Sequence, residues 1–258
     1  DPGVAERPDA DEKDDAGASK AVDVNELRVS SKPRSFLASV SVVSRSIIDS
    51  YIEAFELAGM TPVSFLIENQ ALSKSIIKKG DDAPRLIVHV GEKKSVISVI
   101  SNGSVQFTST VPIGSEDFTL AIMKEYNVSR EEAIRMKTER GFQEGNGSIF
   151  MSLINTASAL KDEIERIVLY WQSFVDKRPN SQNKKSAKLA SVVLSGRDAL
   201  INGFKEYLAA TVRLPVHIAN VWSNVYDIDK KIPEIEYIDS LDYASAIGLA
   251  LPKLDDID

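Results

Sequence analysis

The stretch RLIVHVGEKKSVISVISNGSVQFTSTV, residues 85–111, decides the fold. Three runs rich in β-branched residues, Arg85–Val90, Ser95–Ser101 and Ser104–Val111, are separated by short polar turns. The Asn102-Gly103 turn is typical of a two-residue type I′ hairpin, whose central residues both need positive φ. The stretch therefore predicts three antiparallel strands in sequence order.

Helical patterns follow this meander, and strand patterns return near the carboxyl terminus. Ser129 with Glu132 three residues later forms a capping box at the start of one helix. The polar, basic stretch 178–188 is interpreted as a solvated connection rather than a ligand site. Apolar spacing predicts helices over 116–126, 129–140, 153–175, 198–210 and 241–251, and strands over 189–195 and 215–218. The order predicts an α/β fold with a mixed sheet.

A small βαβα segment is predicted upstream of the meander. Strand patterns occupy 35–43 and 63–67, and helical patterns occupy 46–58 and 69–79. The polar residues 81–84 contain a proline and predict a domain boundary. We therefore expect three parts: a disordered acidic tail or loop over 1–34, a partial small domain with its linking helix over 35–82, and the main domain over 83–258.

Composition excludes several classes of function. The 258 residues are 43% hydrophobic, which is enough for a sizeable core, and their net charge of −7 offers no broad basic surface for nucleic acid. Without cysteine and with only two histidines, a metal site is not expected. No apolar run approaches the length that spans a bilayer, so direct membrane insertion is not expected. No arrangement of residues predicts a catalytic centre.

Six segments, in order, resemble the type IV pilus assembly protein PilM family. The resemblance implies an actin-like, ribonuclease H-like fold, since three antiparallel strands followed by helices and two βα steps form one half of that fold. The segments are SVVSRSIIDSYIEAFELAGMTPVSFLIENQALSKSI (41–76), VPIGSEDFTLAI (111–122), NVSREEAIRMK (127–137), LKDEIERIVLYW (160–171), ASVVLSGRDALINGFKEYLAATVRLPVHIAN (190–220) and DYASAIGLAL (242–251).

The resemblance implies a phosphate loop at His89–Ser95. The family has roughly Asp-Ile-Gly-x-x-x-Thr here, so Gly91 and Ser95 would shape a phosphate turn and Lys93 or Lys94 would add charge. His89 stands where the family has aspartate, which removes a carboxylate that would face a metal. A plain hairpin with exposed lysines is the alternative interpretation.

Further cofactor-binding residues are implied in three other segments. Ser195, Gly196 and Arg197 match the family's Ser-Gly-Gly on the adenine side, where the arginine would either stack on the base or obstruct it. Gly114 matches a second phosphate-proximal glycine. Glu163 and Arg166 match residues that reach the ribose and base, with an ion pair on the helix surface as the alternative.

The family implies a function and partners. We expect a bacterial, cytoplasmic scaffold or adaptor of a type IV pilus or related secretion platform, peripheral to the inner membrane through the cytoplasmic tail of a PilN-like protein. An ATP-binding switch or slow ATPase, using ATP with Mg²⁺, and an FtsA-like cell-division protein are the alternatives. Because no Asp-Ile-Gly hairpin precedes Ser35, we expect the family's amino-terminal domain to be missing from this chain.

Overall fold

A computed structural model describes residues 42–143, 145, 147–177, 188–226 and 233–251 of the chain. The strands are β1 (Arg85–Val90), β2 (Ser95–Ser101), β3 (Ser104–Val111), β4 (Ser191–Ser195) and β5 (Val216–Ile218). The helices are α1 (Arg45–Leu57), α2 (Glu68–Ile76), α3 (Ser115–Tyr126), α4 (Arg130–Arg140), α5 (Ser148–Asp176), α6 (Phe204–Val212), α7 (Tyr237–Ser240) and α8 (Ala244–Ala250).

The five strands form one mixed sheet in the order β3-β2-β1-β4-β5. The meander supplies the antiparallel pairs, and β4 pairs parallel to both β1 and β5. Positive φ angles at Asn102 and Gly103 confirm the tight turn between β2 and β3. The predicted α/β class and mixed sheet are confirmed.

Helices cover both faces of the sheet. On β3, Thr108 accepts a hydrogen bond from Asn69 of α2, whereas the neighbouring Ser109 donates to Glu163 of α5. Successive residues of a strand point to opposite faces, so α2 and α5 lie on opposite sides of the sheet. The long α5 buries one stripe at helical spacing: Ile149, Leu153, Ala157, Leu160, Ile164, Ile167, Trp171 and Val175.

Helices α2 and α8 cross at unusually short range. A Cβ atom added to Gly248 would fall on the backbone carbonyl of Ala71, well inside van der Waals contact. Lys74 reinforces the crossing, because its ammonium donates to the carbonyl of Leu251 at 2.7 Å. A side chain at 248 is therefore incompatible with the position of α2.

Several sequence predictions differ from the structure. The helix predicted over 198–210 is wrong at its start: a 3-10 turn spans Arg197–Leu200, and α6 begins at Phe204 after Gly203 adopts a φ of 77°. The strand predicted over 63–67 runs extended but pairs with no other described strand. The helix predicted over 69–79 ends at Ile76. The strand over 35–43 and the loop over 178–188 lie almost wholly outside the described residues.

Helix α1 has no buried residue. Ile47, Tyr51 and Phe55 recur at helical spacing on one side and are 51%, 56% and 36% exposed. Val63 and Phe65, in the extended stretch after the helix, are exposed as well. None of the helices that the structure describes is long and apolar enough to cross a bilayer.

Gly248→Ala should destabilise the chain by about 2–3 kcal/mol, because the added methyl group forces two helix backbones apart. Urea unfolding followed by circular dichroism measures the loss. Gly145→Ala is the matched control, since nothing lies within 4 Å of the added atom there. Equal stability of the two variants would contradict the close crossing.

Candidate functional site

A cleft of about 850 Å³ opens at the carboxyl ends of β1 and β4. These strands are neighbours, and their connections leave in opposite directions, to β2 on one side and to β5 on the other. Open α/β sheets place ligand sites at such switch points. The fold therefore positions this cleft as the candidate site.

The predicted phosphate loop forms a tight turn at one wall of the cleft. Gly91 donates its N–H to the carbonyl of Lys94 at 3.0 Å, and the exposed side chain of Lys93 borders the cleft. The hydroxyl of Ser95 is buried and donates to the carbonyl of Ile113 at 2.6 Å. Of these three predicted loop residues, Gly91 and Lys93 line the cleft. Ser95 does not line it, and its hydroxyl binds a backbone carbonyl instead.

Gly114 lies directly behind this turn, at the start of α3. A Cβ atom here would overlap the carbonyl of Glu92, so the turn and the helix start touch. Two amides of α3 donate across the contact: Ser115 to the carbonyl of Gly91 and Glu116 to that of Glu92, both at 2.9 Å. Gly114 therefore serves as a packing position between the two turns.

A buried ion pair forms the floor of the cleft. Lys137 of α4 lies 3.1 Å from both carboxylate oxygens of Asp198, and the two side chains are 5% and 4% exposed. The same ammonium donates to the carbonyl of Ser115 at 3.2 Å and to its hydroxyl at 2.8 Å. This one cation joins α4, the start of α3 and the turn after β4.

Arg197 lies at the mouth of the cleft and contacts two aspartates. Its guanidinium donates to Asp239 at 2.8 Å and to Asp242 at 2.7 and 2.9 Å. The preceding Gly196 adopts a φ of 90° and packs on the carbonyl of Val90, where a Cβ atom would overlap it. The glycine brings the ends of β1 and β4 together and directs Arg197 outward.

His89 faces the hydroxyl of Ser195 across the parallel strands, with 3.3 Å between Nδ1 and Oγ. Burial lowers the pKa of the His89 imidazole, and the nearby carboxylates of Glu68 and Asp242 oppose that shift only in part. Ser195 is itself fully buried. The pair therefore forms an internal contact at the junction of β1 and β4.

Glu163 and Arg166 are not among the residues that line the cleft. They form a two-pronged ion pair on α5, and Glu163 also accepts a hydrogen bond from Ser109 of β3. Arg166 lowers the pKa of the Glu163 carboxyl through these hydrogen bonds. The arrangement is that of the surface ion pair considered as the alternative.

Sequence reasoning did not select the most buried charges of the cleft. Lys137 and Asp198 are 61 residues apart, so no spacing rule joins them. Asp239 and Asp242 lie more than 40 residues beyond Arg197. Lys137 does lie within the NVSREEAIRMK segment, and that family resemblance was the one available signal.

No group of three or more potential metal ligands is present among the residues whose positions are described.

The profile of the family described as Type IV pilus assembly protein PilM matches residues 23–254. The chain belongs to the PilM family. Among solved structures, the PilM-PilN type IV pilus biogenesis complex is similar at a TM-score of 0.59 and 19% identity, over 78% of this chain and 56% of that one. None of the curated protein sequences matches this chain.

Actin-like structures support the fold of this PilM family member. MreB5 of Spiroplasma citri bound to ADP is similar at a TM-score of 0.57 and 14% identity, over 81% of this chain and 65% of that one. The same protein bound to AMPPNP is similar at a TM-score of 0.56 and 15% identity, over 81% of this chain and 64% of that one. The chain spans about half to two thirds of these relatives. At these low identities, the TM-scores show a shared actin-like fold.

Lys137→Met should lower the free energy of unfolding by about 3–5 kcal/mol, because it leaves Asp198 charged, buried and without its cation. Chemical denaturation measures the loss. Arg135→Met on the same helix is the matched control, since Arg135 pairs with Glu132 at the surface, and we expect no measurable change. A small effect at Lys137 would contradict the structural role of the pair.

The lowered pKa of His89 makes stability depend on pH. The unfolded state binds the proton of this imidazole more readily. The contribution of His89 to folding stability is therefore constant above the ordinary histidine pKa of 6.5 and falls as the pH drops below it. His89→Gln should remove this part of the acid loss between pH 7 and 5. Denaturation midpoints at several pH values test it, with the exposed His217→Gln as control. Parallel pH profiles for the parent and His89→Gln would contradict it.

Proposed function

We propose that this chain acts as a scaffold or adaptor in the assembly platform of a type IV pilus or related secretion machine. The observation that carries the proposal is the PilM family match over residues 23–254. The ion pairs of the cleft support a structural role, because Lys137 at the floor and Arg197 at the mouth bind carboxylates of the chain itself. Such a protein would act by holding partners together.

The proposed partner is the cytoplasmic tail of a PilN-like inner-membrane protein. A solved relative of the same fold is a PilM-PilN complex. This chain offers an exposed apolar surface on α1, formed by Ile47, Tyr51 and Phe55, and exposed apolar patches of this kind mark contact sites. Binding there would place the protein in the cytoplasm, at the inner membrane through its partner.

The alternative function is an ATP-binding switch. Its support comes from the fold, since the MreB5 neighbours are bound to ADP and to AMPPNP. Gly91, Lys93 and Arg197 are predicted residues that line the cleft. Arg197 is already engaged by two aspartates, which favours the scaffold over the switch.

A synthetic peptide with the sequence of the PilN-like cytoplasmic tail should bind the chain saturably in a fluorescence anisotropy titration. Replacing both Tyr51 and Phe55 with alanine should weaken binding at least about tenfold, since aromatic anchors dominate such interfaces. Glu53→Ala with Glu56→Ala, on the same helix, is the matched control. Equal affinity for all three proteins would contradict the proposed surface, and no binding to any would contradict the proposed partner.

A further inference from the structure

Four backbone amides at the two turns of this cleft donate within the chain and so are not available to a phosphate group. Phosphate sites of this kind use N–H groups at tight turns and helix starts. Here the amides of Ser115 and Glu116 donate to the carbonyls of the facing turn. The amide of Gly114 donates to the carboxylate of Asp117 at 2.8 Å, and that of Gly91 donates within its own turn.

The two turns also leave no room between them. The Cα of Gly114 rests against the carbonyl groups of Glu92 and Lys93, so closely that a methyl group would not fit. A phosphate group is larger than a methyl group. An anion could enter between these turns only if the hairpin moved away from α3 and broke two backbone hydrogen bonds.

Three of the cations that line the cleft have carboxylate partners from the chain itself, whereas the exposed Lys93 and Lys94 line it without an ion pair among the described residues. Lys137 pairs with Asp198 and Arg197 with Asp239 and Asp242, while Arg130 pairs with Glu116 at 3.1 Å. Two further carboxylates, Glu68 and Glu92, line the same space. A polyphosphate would have to displace these carboxylates and would meet the repulsion of the remaining ones.

The Arg197 contact also connects the cleft to the helix crossing. Asp239 belongs to α7, and Asp242 lies in the turn that leads directly into α8. Arg197 therefore ties the turn after β4 to the segment that positions Gly248 against Ala71. We call Arg197, Asp239 and Asp242 the latch.

We infer that the cleft is bridged by the chain's own ion pairs, with the latch fixing α7 and α8 at its mouth, and that it takes no Mg-ATP. The internal ion pairs hold the cleft walls together without a ligand. This inference goes beyond the proposed scaffold function, because it concerns how the cleft is stabilised and not what the protein assembles with.

Hydrogen exchange on the full 258-residue chain tests the latch. Arg197→Ala should make the amides of 237–243 exchange roughly three- to tenfold faster, while the β1–β2 hairpin is unchanged. Raising the salt concentration should accelerate the same amides in the parent and have little effect in the variant, because the latch is half-exposed and screened. Arg135→Ala removes another partly exposed ion pair, with Glu132, and is the matched control. Unchanged exchange in Arg197→Ala would overturn the latch.

Titration with a fluorescent ATP analogue and Mg²⁺ tests the second part of the inference. We expect no saturable, competable binding up to about 1 mM, whereas MreB5 of Spiroplasma citri, solved with AMPPNP, should bind in the same assay. Micromolar binding to the parent chain would overturn the inference, whatever the result with the PilN-like tail. Loss of tail binding with an intact latch would overturn only the scaffold proposal.

Discussion

The parallel pairing of β1 with β4 is the interaction on which the rest of the structure depends. It joins the local meander to a strand that begins about one hundred residues later, and it sets the ends of both strands side by side. Gly196 permits this close approach, since its backbone packs on the carbonyl of Val90 without a side chain between them. The cleft, the His89–Ser195 contact and the position of Arg197 all follow from this pairing.

Sequence patterns predicted the fold correctly where paired strands are neighbours in the sequence. The bounds of β1, β2 and β3 agree with the sequence prediction, because alternation and an Asn-Gly turn are sufficient for a meander. The helix predicted over 198–210 was wrong at its start, because apolar spacing did not reveal that Gly203 would take a positive φ there. Element order predicted the mixed sheet, which the strand pairing confirms.

The candidate site was less predictable, because its contacts are formed between distant segments. Gly91, Lys93 and Arg197 could be selected from their motifs, and the structure places all three at the cleft. The partners of Arg197 and the Lys137–Asp198 pair could not be selected, since charges 40 to 60 residues apart carry no spacing signal. The pairing of Glu163 with Arg166, by contrast, could be predicted. Residues three apart on a helix lie on one face, and the structure shows the surface ion pair that this spacing favours.

The crossing of α2 and α8 bears on how such a chain can diverge over evolutionary time. Charged residues at the half-exposed mouth of the cleft can be exchanged in small steps, because a charge lost there costs little folding stability. Gly248 has no tolerated substitution, since every other amino acid carries a Cβ atom that collides with the backbone at Ala71. Folding stability alone therefore selects against any change at Gly248, whereas it leaves the charged residues at the cleft mouth free to vary.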